Sequence, residues 1–105
     1  MILVAVFTVR RELLADFRAY EHAAAAIMVR YGGVIERTIV VDAGPPAGEL
    51  REVHWVRFPS AAALAEYQAD AGWLALAAER ARVIVSTEVL RGEPGPDYSP
   101  PAGAP

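Results

Sequence analysis

Residues 2–9, ILVAVFTV, are apolar on both sides of an extended chain. Successive side chains of a strand point to opposite faces. Ile2, Val4 and Val6 therefore turn one way, and Leu3, Ala5, Phe7 and Val9 the other. The short length and the β-branched residues argue for a strand rather than a helix. A sheet containing such a strand needs apolar cover on both of its faces.

The rest of the chain supplies cover for one face only. Over residues 11–30 the period becomes helical: Leu13, Phe17, Tyr20, Ala24, Ile27, Met28 and Tyr31 share a face. Gly32-Gly33 stops this helix. Residues 34–41 and 51–58 read as two strands joined by a turn over 42–48. Pro59-Ser60 ends the second of them, and Ser60 suits a helix N-cap. A helical region follows over 60–81, with Gly72 as its expected break, then a strand over 83–90. The order βαββαβ predicts an α+β, ferredoxin-like domain over residues 1–92, with a four-stranded antiparallel sheet and two helices on one face. Residues 93–105, EPGPDYSPPAGAP, form a Pro/Gly-rich tail expected to be mobile. In the 51–58 strand, Val53, Trp55 and Arg57 share one face, and His54, Val56 and Phe58 the other. The uncovered face would be a large apolar patch, which a monomer rarely tolerates. A homodimer packed sheet against sheet is the simplest remedy.

Composition removes several functions. With 105 residues and 54% of them hydrophobic, the chain can form one ordinary core. The net charge of −3 and the absence of a basic cluster argue against nucleic acid. There is no cysteine, hence no disulfide, thiolate nucleophile or cysteine zinc site. All 10 basic residues are arginine, which excludes a lysine Schiff base; with so much alanine, the expectation is a GC-rich bacterial genome, a matter of codons rather than chemistry. MILVAVFTV has no basic n-region and is too short to span a bilayer. The expectation is a cytoplasmic protein with no membrane partner.

Three features together resemble a known group. Tyr31-Gly32-Gly33 ends the first helix, Phe58-Pro59-Ser60 joins strand to helix, and Trp73 and Arg80 lie on the second helical region. The chain resembles the dimeric α/β-barrel superfamily and, within it, small proteins of the DUF1330 type, related to antibiotic biosynthesis monooxygenase-like proteins. The resemblance covers about residues 2–92 and implies two sheets closing into a barrel across a dimer, with a ligand cavity between sheet and helices. The superfamily includes cofactor-free monooxygenases, lactone isomerases, polyketide cyclases and haem-degrading enzymes. Its catalytic residues differ between branches. Trp73 stands where the DUF1330-type pattern usually has tyrosine.

His54 is the first candidate for chemistry, because an imidazole takes and gives protons near neutral pH. On the face of Phe58 it looks towards the cavity that the resemblance implies; the plainer alternative is a hydrogen-bonded core histidine. His22 lies nearly opposite the buried stripe of its helix, which speaks against a two-histidine metal site. Glu21 sits at the edge of that stripe, either facing the cavity or pairing with Arg18. Tyr20, Tyr67 and Trp73 are core aromatics or the wall of a site for a flat organic ligand. Arg37 and Arg57 are mid-strand arginines: ion-pair partners of Glu36, Glu52 or Glu88, or anchors for a carboxylate or enolate. Trp55 is expected in the dimer core. No Gly-x-Ser-x-Gly elbow or phosphate-binding glycine pattern occurs.

The leading expectation is a small-molecule enzyme without a tightly bound cofactor: an isomerase, cyclase or monooxygenase acting on a carbonyl or aromatic metabolite of bacterial secondary metabolism. His54 would be its base, Tyr20, Tyr67, Trp73, Glu21 and Arg37 its substrate contacts, and no metal is called for. The alternatives are a non-catalytic ligand-binding or accessory dimer and, third, a haem-processing protein.

Overall fold

A computed structural model of the chain describes residues 1–41 and 43–103. Asp42, in the expected turn, and the last two residues of the tail lie outside the described residues. Strand β1 (Ile2–Arg10) leads through a 3-10 turn into helix α1 (Leu14–Met28), followed by a second 3-10 turn and strands β2 (Val34–Val41) and β3 (Glu49–Arg57). Three short helices follow, α2 (Ala61–Ala69), α3 (Ala71–Ala75) and α4 (Ala77–Val83), and then β4 (Ser86–Gly92). The sheet order is β2-β3-β1-β4, with every pair antiparallel. This is the α+β, ferredoxin-like arrangement that the order of periods predicts.

Helix α1 buries Phe17, Tyr20, Ala24, Ile27 and Met28, the stripe expected of it. Gly32 closes the 3-10 turn that follows the helix at φ 75°, a left-handed geometry that glycine adopts without steric cost. Gly33 is needed for a different reason: a Cβ there would collide with Met28 Cγ and come within 2.6 Å of Phe58 Cε1. Gly33→Ala should therefore cost about 1–3 kcal/mol through overpacking. Urea titration should show a lower midpoint at an unchanged slope.

The second helical region departs from expectation in where it breaks. The interruption falls at Asp70 rather than Gly72, and a second one follows at Leu76. Asp70 leaves helical geometry and caps the next helix, its Oδ1 accepting from the N–H groups of Gly72 (2.7 Å) and Trp73 (3.3 Å). Its Oδ2 accepts from the Tyr31 hydroxyl at 2.6 Å, which ties the break to the end of α1. Ser60 caps α2 as expected, its Oγ accepting from Ala63 N–H at 3.1 Å. The last strand begins later than expected, at Ser86. Val83 is the last residue of α4 and is fully buried against Phe17 and Tyr20, so its β-branched side chain serves the helix layer and not the sheet.

Alternation in β3 is strict. Leu50, Glu52, His54 and Val56 are buried under the helices, while Arg51, Trp55 and Arg57 are exposed on the outer face. In β1, Ala5 pairs with His54 and Val4 with Trp55, so both faces of that strand are apolar, as its sequence requires. Ile39, Trp55 and Leu90 leave the outer face substantially exposed. The core is divided into two clusters. One gathers Ile27, Met28, Val56, Phe58, Leu64 and Tyr67, the other Val9, Phe17, Tyr20, Ala24 and Val83. Among the described residues no helix is long and apolar enough to cross a membrane.

Candidate functional site: a buried carboxylate–histidine–carboxylate set on an apolar cavity

Members of both core clusters line a cavity of about 200 Å³ between the sheet and the helices. Strand β3 brings His54 into its wall. The imidazole is 2% exposed and stands edge-on to Phe7, with ring centroids 4.9 Å apart. Its two nitrogens meet two carboxylates. Nε2 lies 2.9 Å from Glu52 Oε1, and Nδ1 lies 3.7 Å from Glu21 Oε2. Glu52 is itself buried, and Arg18 approaches its other oxygen at 3.5 Å. Arg18 thus pairs with Glu52 rather than with Glu21.

That leaves Glu21 turned to the cavity with no arginine ion pair among the described residues. Burial first, and then the negative charge of Glu52, push its pKa up from 4.5 to about 7 against the opposing pull of Arg80. A carboxyl group in this range exchanges protons readily near neutrality, which is the property a general acid or base needs.

On α4, Arg80 forms the opposite pole of the site. Its Nε donates to the Tyr20 hydroxyl at 2.7 Å and its Nη2 to the Trp73 carbonyl at 3.0 Å. Its guanidinium lies 3.8 Å from the centroid of the Trp73 ring, a cation–π stack that holds the charge flat against the cavity wall. Burial raises the pKa of Tyr20, opposed by the hydrogen bond from Arg80 and its charge. Burial also raises that of Tyr67, so both phenols stay protonated at neutral pH. Tyr67 packs against Trp73 with ring centroids 5.7 Å apart.

Of the residues singled out from the sequence, His54, Glu21, Tyr20, Tyr67 and Trp73 line this cavity. Arg37, expected among the substrate contacts, does not line it. A register shift between Ile35 and Arg37 sets Ile35 opposite Val56 but Arg37 opposite Trp55. The bulge at Glu36 turns Arg37 to the outer face, whereas unbroken alternation would have left it on the face of Ile35. Arg57 is ion-paired with Glu36 on the outer side. His22 is exposed and lines a separate depression with Arg18 and Glu52. Sequence reasoning missed two residues. Glu52 was weighed only as an ion-pair partner for the strand arginines, although it precedes His54 by two residues and so shares its face. Arg80 carried no role of its own; the break at Leu76, between Trp73 and Arg80, defeats helical counting from one to the other.

No family model matches the chain, and no curated protein matches its sequence. Solved structures do match. Protein Atu4242 from Agrobacterium tumefaciens is 20% identical over 94% of this chain and 96% of its own, with a TM-score of 0.71. A putative antibiotic biosynthesis monooxygenase from Nitrosomonas europaea is 14% identical over 88% of this chain and 98% of its own, with a TM-score of 0.58. SnoaB from Streptomyces nogalater, a cofactor-independent oxygenase, is 14% identical over 90% of this chain and 94% of its own, with a TM-score of 0.59. At these identities the shared property is the fold, a ferredoxin-like α+β domain.

Proposed function

We propose that the protein is an enzyme that moves protons on a small carbonyl or phenolic metabolite without a tightly bound cofactor, as an isomerase, cyclase or oxygenase. The observation that carries this reading is the buried contact of Glu21 with His54 on the wall of an apolar cavity. Two titratable groups on the wall of a cavity can take a proton from an activated position and return it. Arg80 and Tyr20 offer a cation and a hydroxyl to an oxygen that gains negative charge as the proton leaves. Trp73 and Tyr67 offer flat walls to a planar ligand. The likeness of fold to a cofactor-independent oxygenase supports the same class.

Electron-rich phenols and 1,3-dicarbonyl compounds, screened for solvent deuterium incorporation and for oxygen uptake, test this reading. The wild type should turn over at least one of them. If none reacts while several bind, the protein is a ligand-binding module. Kinship with DUF1330-type proteins and a place in secondary metabolism belong to this proposal and rest on the helix-stop and strand–helix junction motifs.

The functional unit in this reading is a homodimer, with the outer faces of two sheets packed together. Trp55, Ile39 and Leu90, 43%, 55% and 71% exposed, support it, since a large aromatic on an open apolar face contributes most when covered. The wild type should sediment as a dimer at micromolar concentration, and Trp55→Glu should shift it towards single chains. A wild type that sediments as one chain would remove the dimer from the proposal.

A further inference from the structure

The two carboxylates that flank His54 are not equivalent. Glu21 and His54 line both the cavity and a shallow depression between α1 and the β2–β3 edge, whereas Glu52 lines the depression alone. Glu52 is also the nearer partner, at 2.9 Å from Nε2 against 3.7 Å from Glu21 to Nδ1. Arg18, half exposed on the depression side, faces the remaining oxygen of Glu52. A neutral imidazole carries one N–H, and an ionised carboxylate can only accept. The short contact therefore selects Nε2 as the protonated nitrogen, an assignment made from the hydrogen-bond network.

We infer that Glu52 is a positioning residue: it holds His54 in the Nε2–H tautomer, so that Nδ1, the nitrogen on the side of Glu21, is the atom that accepts a proton. This deepens the proposed proton-transfer reading and rests on it only for the use made of Nδ1. In the step itself, a substrate C–H or O–H bond breaks, its electron pair stays on the substrate, and the proton moves to Nδ1. The imidazolium so formed lies between Glu52 and Glu21, and the same Nδ1–H returns the proton to another atom of the substrate. The charged groups around the ring are Glu21 and Arg18 from α1, Glu52 from β3 itself, and Arg80, which acts on Glu21 from α4. The neighbours across the strands, Ala5 and Thr38, carry no titratable group.

Nitrogen-15 NMR of histidine-labelled protein, without any substrate, decides the matter. His22→Ala provides the assignment, since the chain has only 2 histidines. In the wild type, at a pH where the ring is neutral, His54 should show a pyridine-type Nδ1 and a pyrrole-type Nε2. Glu52→Gln should abolish or reverse that preference, because its amide can donate as well as accept, whereas Glu21→Gln should preserve it. A wild-type ring protonated at Nδ1 overturns the inference even if no variant folds. An unchanged tautomer in a folded Glu52→Gln protein overturns it as well. Failure of the enzymatic reading would show elsewhere, as full turnover by His54→Ala, and would leave the tautomer result standing.

Discussion

Replacing His54 by alanine is expected to lower kcat on the true substrate by about 10²–10⁴-fold, the range typical of a lost general acid–base group. The expectation follows from the enclosure of the ring. It is 2% exposed and in contact with two carboxylates, so bulk water has little room to stand in for it. KM should change less than kcat, because the apolar walls around Trp73 and Tyr67 remain. The alanine variant also leaves Glu52 without its hydrogen-bond partner, so its melting temperature must be recorded beside its kinetics. His54→Asn keeps a polar group against Glu52 but cannot carry the proton, and should match alanine in rate while melting closer to the wild type. Turnover at the wild-type rate in either variant would remove His54 from the chemistry.

The second large effect is one of stability. Glu21 titrates at about 7 in the folded chain, against 4.5 for the ordinary side chain, chiefly because it is buried. Below pH 4.5 the carboxyl is protonated in both states and makes no difference. As the pH rises towards 7, the unfolded chain ionises first and the folded chain retains its proton, so the folded state binds more protons and loses stability with rising pH. Above 7 the penalty is complete. At about 1.4 kcal/mol per pH unit, it reaches about 3 kcal/mol. Glu21→Gln, which stays neutral, should therefore be more stable than the wild type at pH 8, with the advantage shrinking through pH 6 and disappearing below 4.5. Thermal melts across that range would check it. An advantage that grows towards acid pH, or none at pH 8, would mean that Glu21 is not held protonated by its surroundings. A residue that costs the fold this much in alkaline solution is what an acid–base role would retain.

Much of this architecture was legible from periodicity. Strict alternation in EVHWVRF separates His54 from Trp55, and the two neighbours do serve opposite sides of the sheet. The helical stripe from Phe17 to Met28 was equally clear. Arg37 was misplaced because the bulge at Glu36 has no local signature: VIERTIVV contains neither glycine nor proline to mark an inserted residue. Strand β4 was set three residues early, since VIV reads as extended chain when its neighbours in space are unknown. The first break of the second helical region is fixed in part by Asp70 meeting Tyr31, a contact across 39 residues that lies outside any local window.

The division of the interior into two apolar clusters has a thermodynamic consequence. Both clusters border the same hollow, so a bound molecule would fill the seam and touch each half at once. Occupancy should then stiffen the whole chain, raising its melting temperature with ligand concentration as mass action requires. Ranking compounds by that rise would show which molecule the interior was shaped to hold, before any reaction is known.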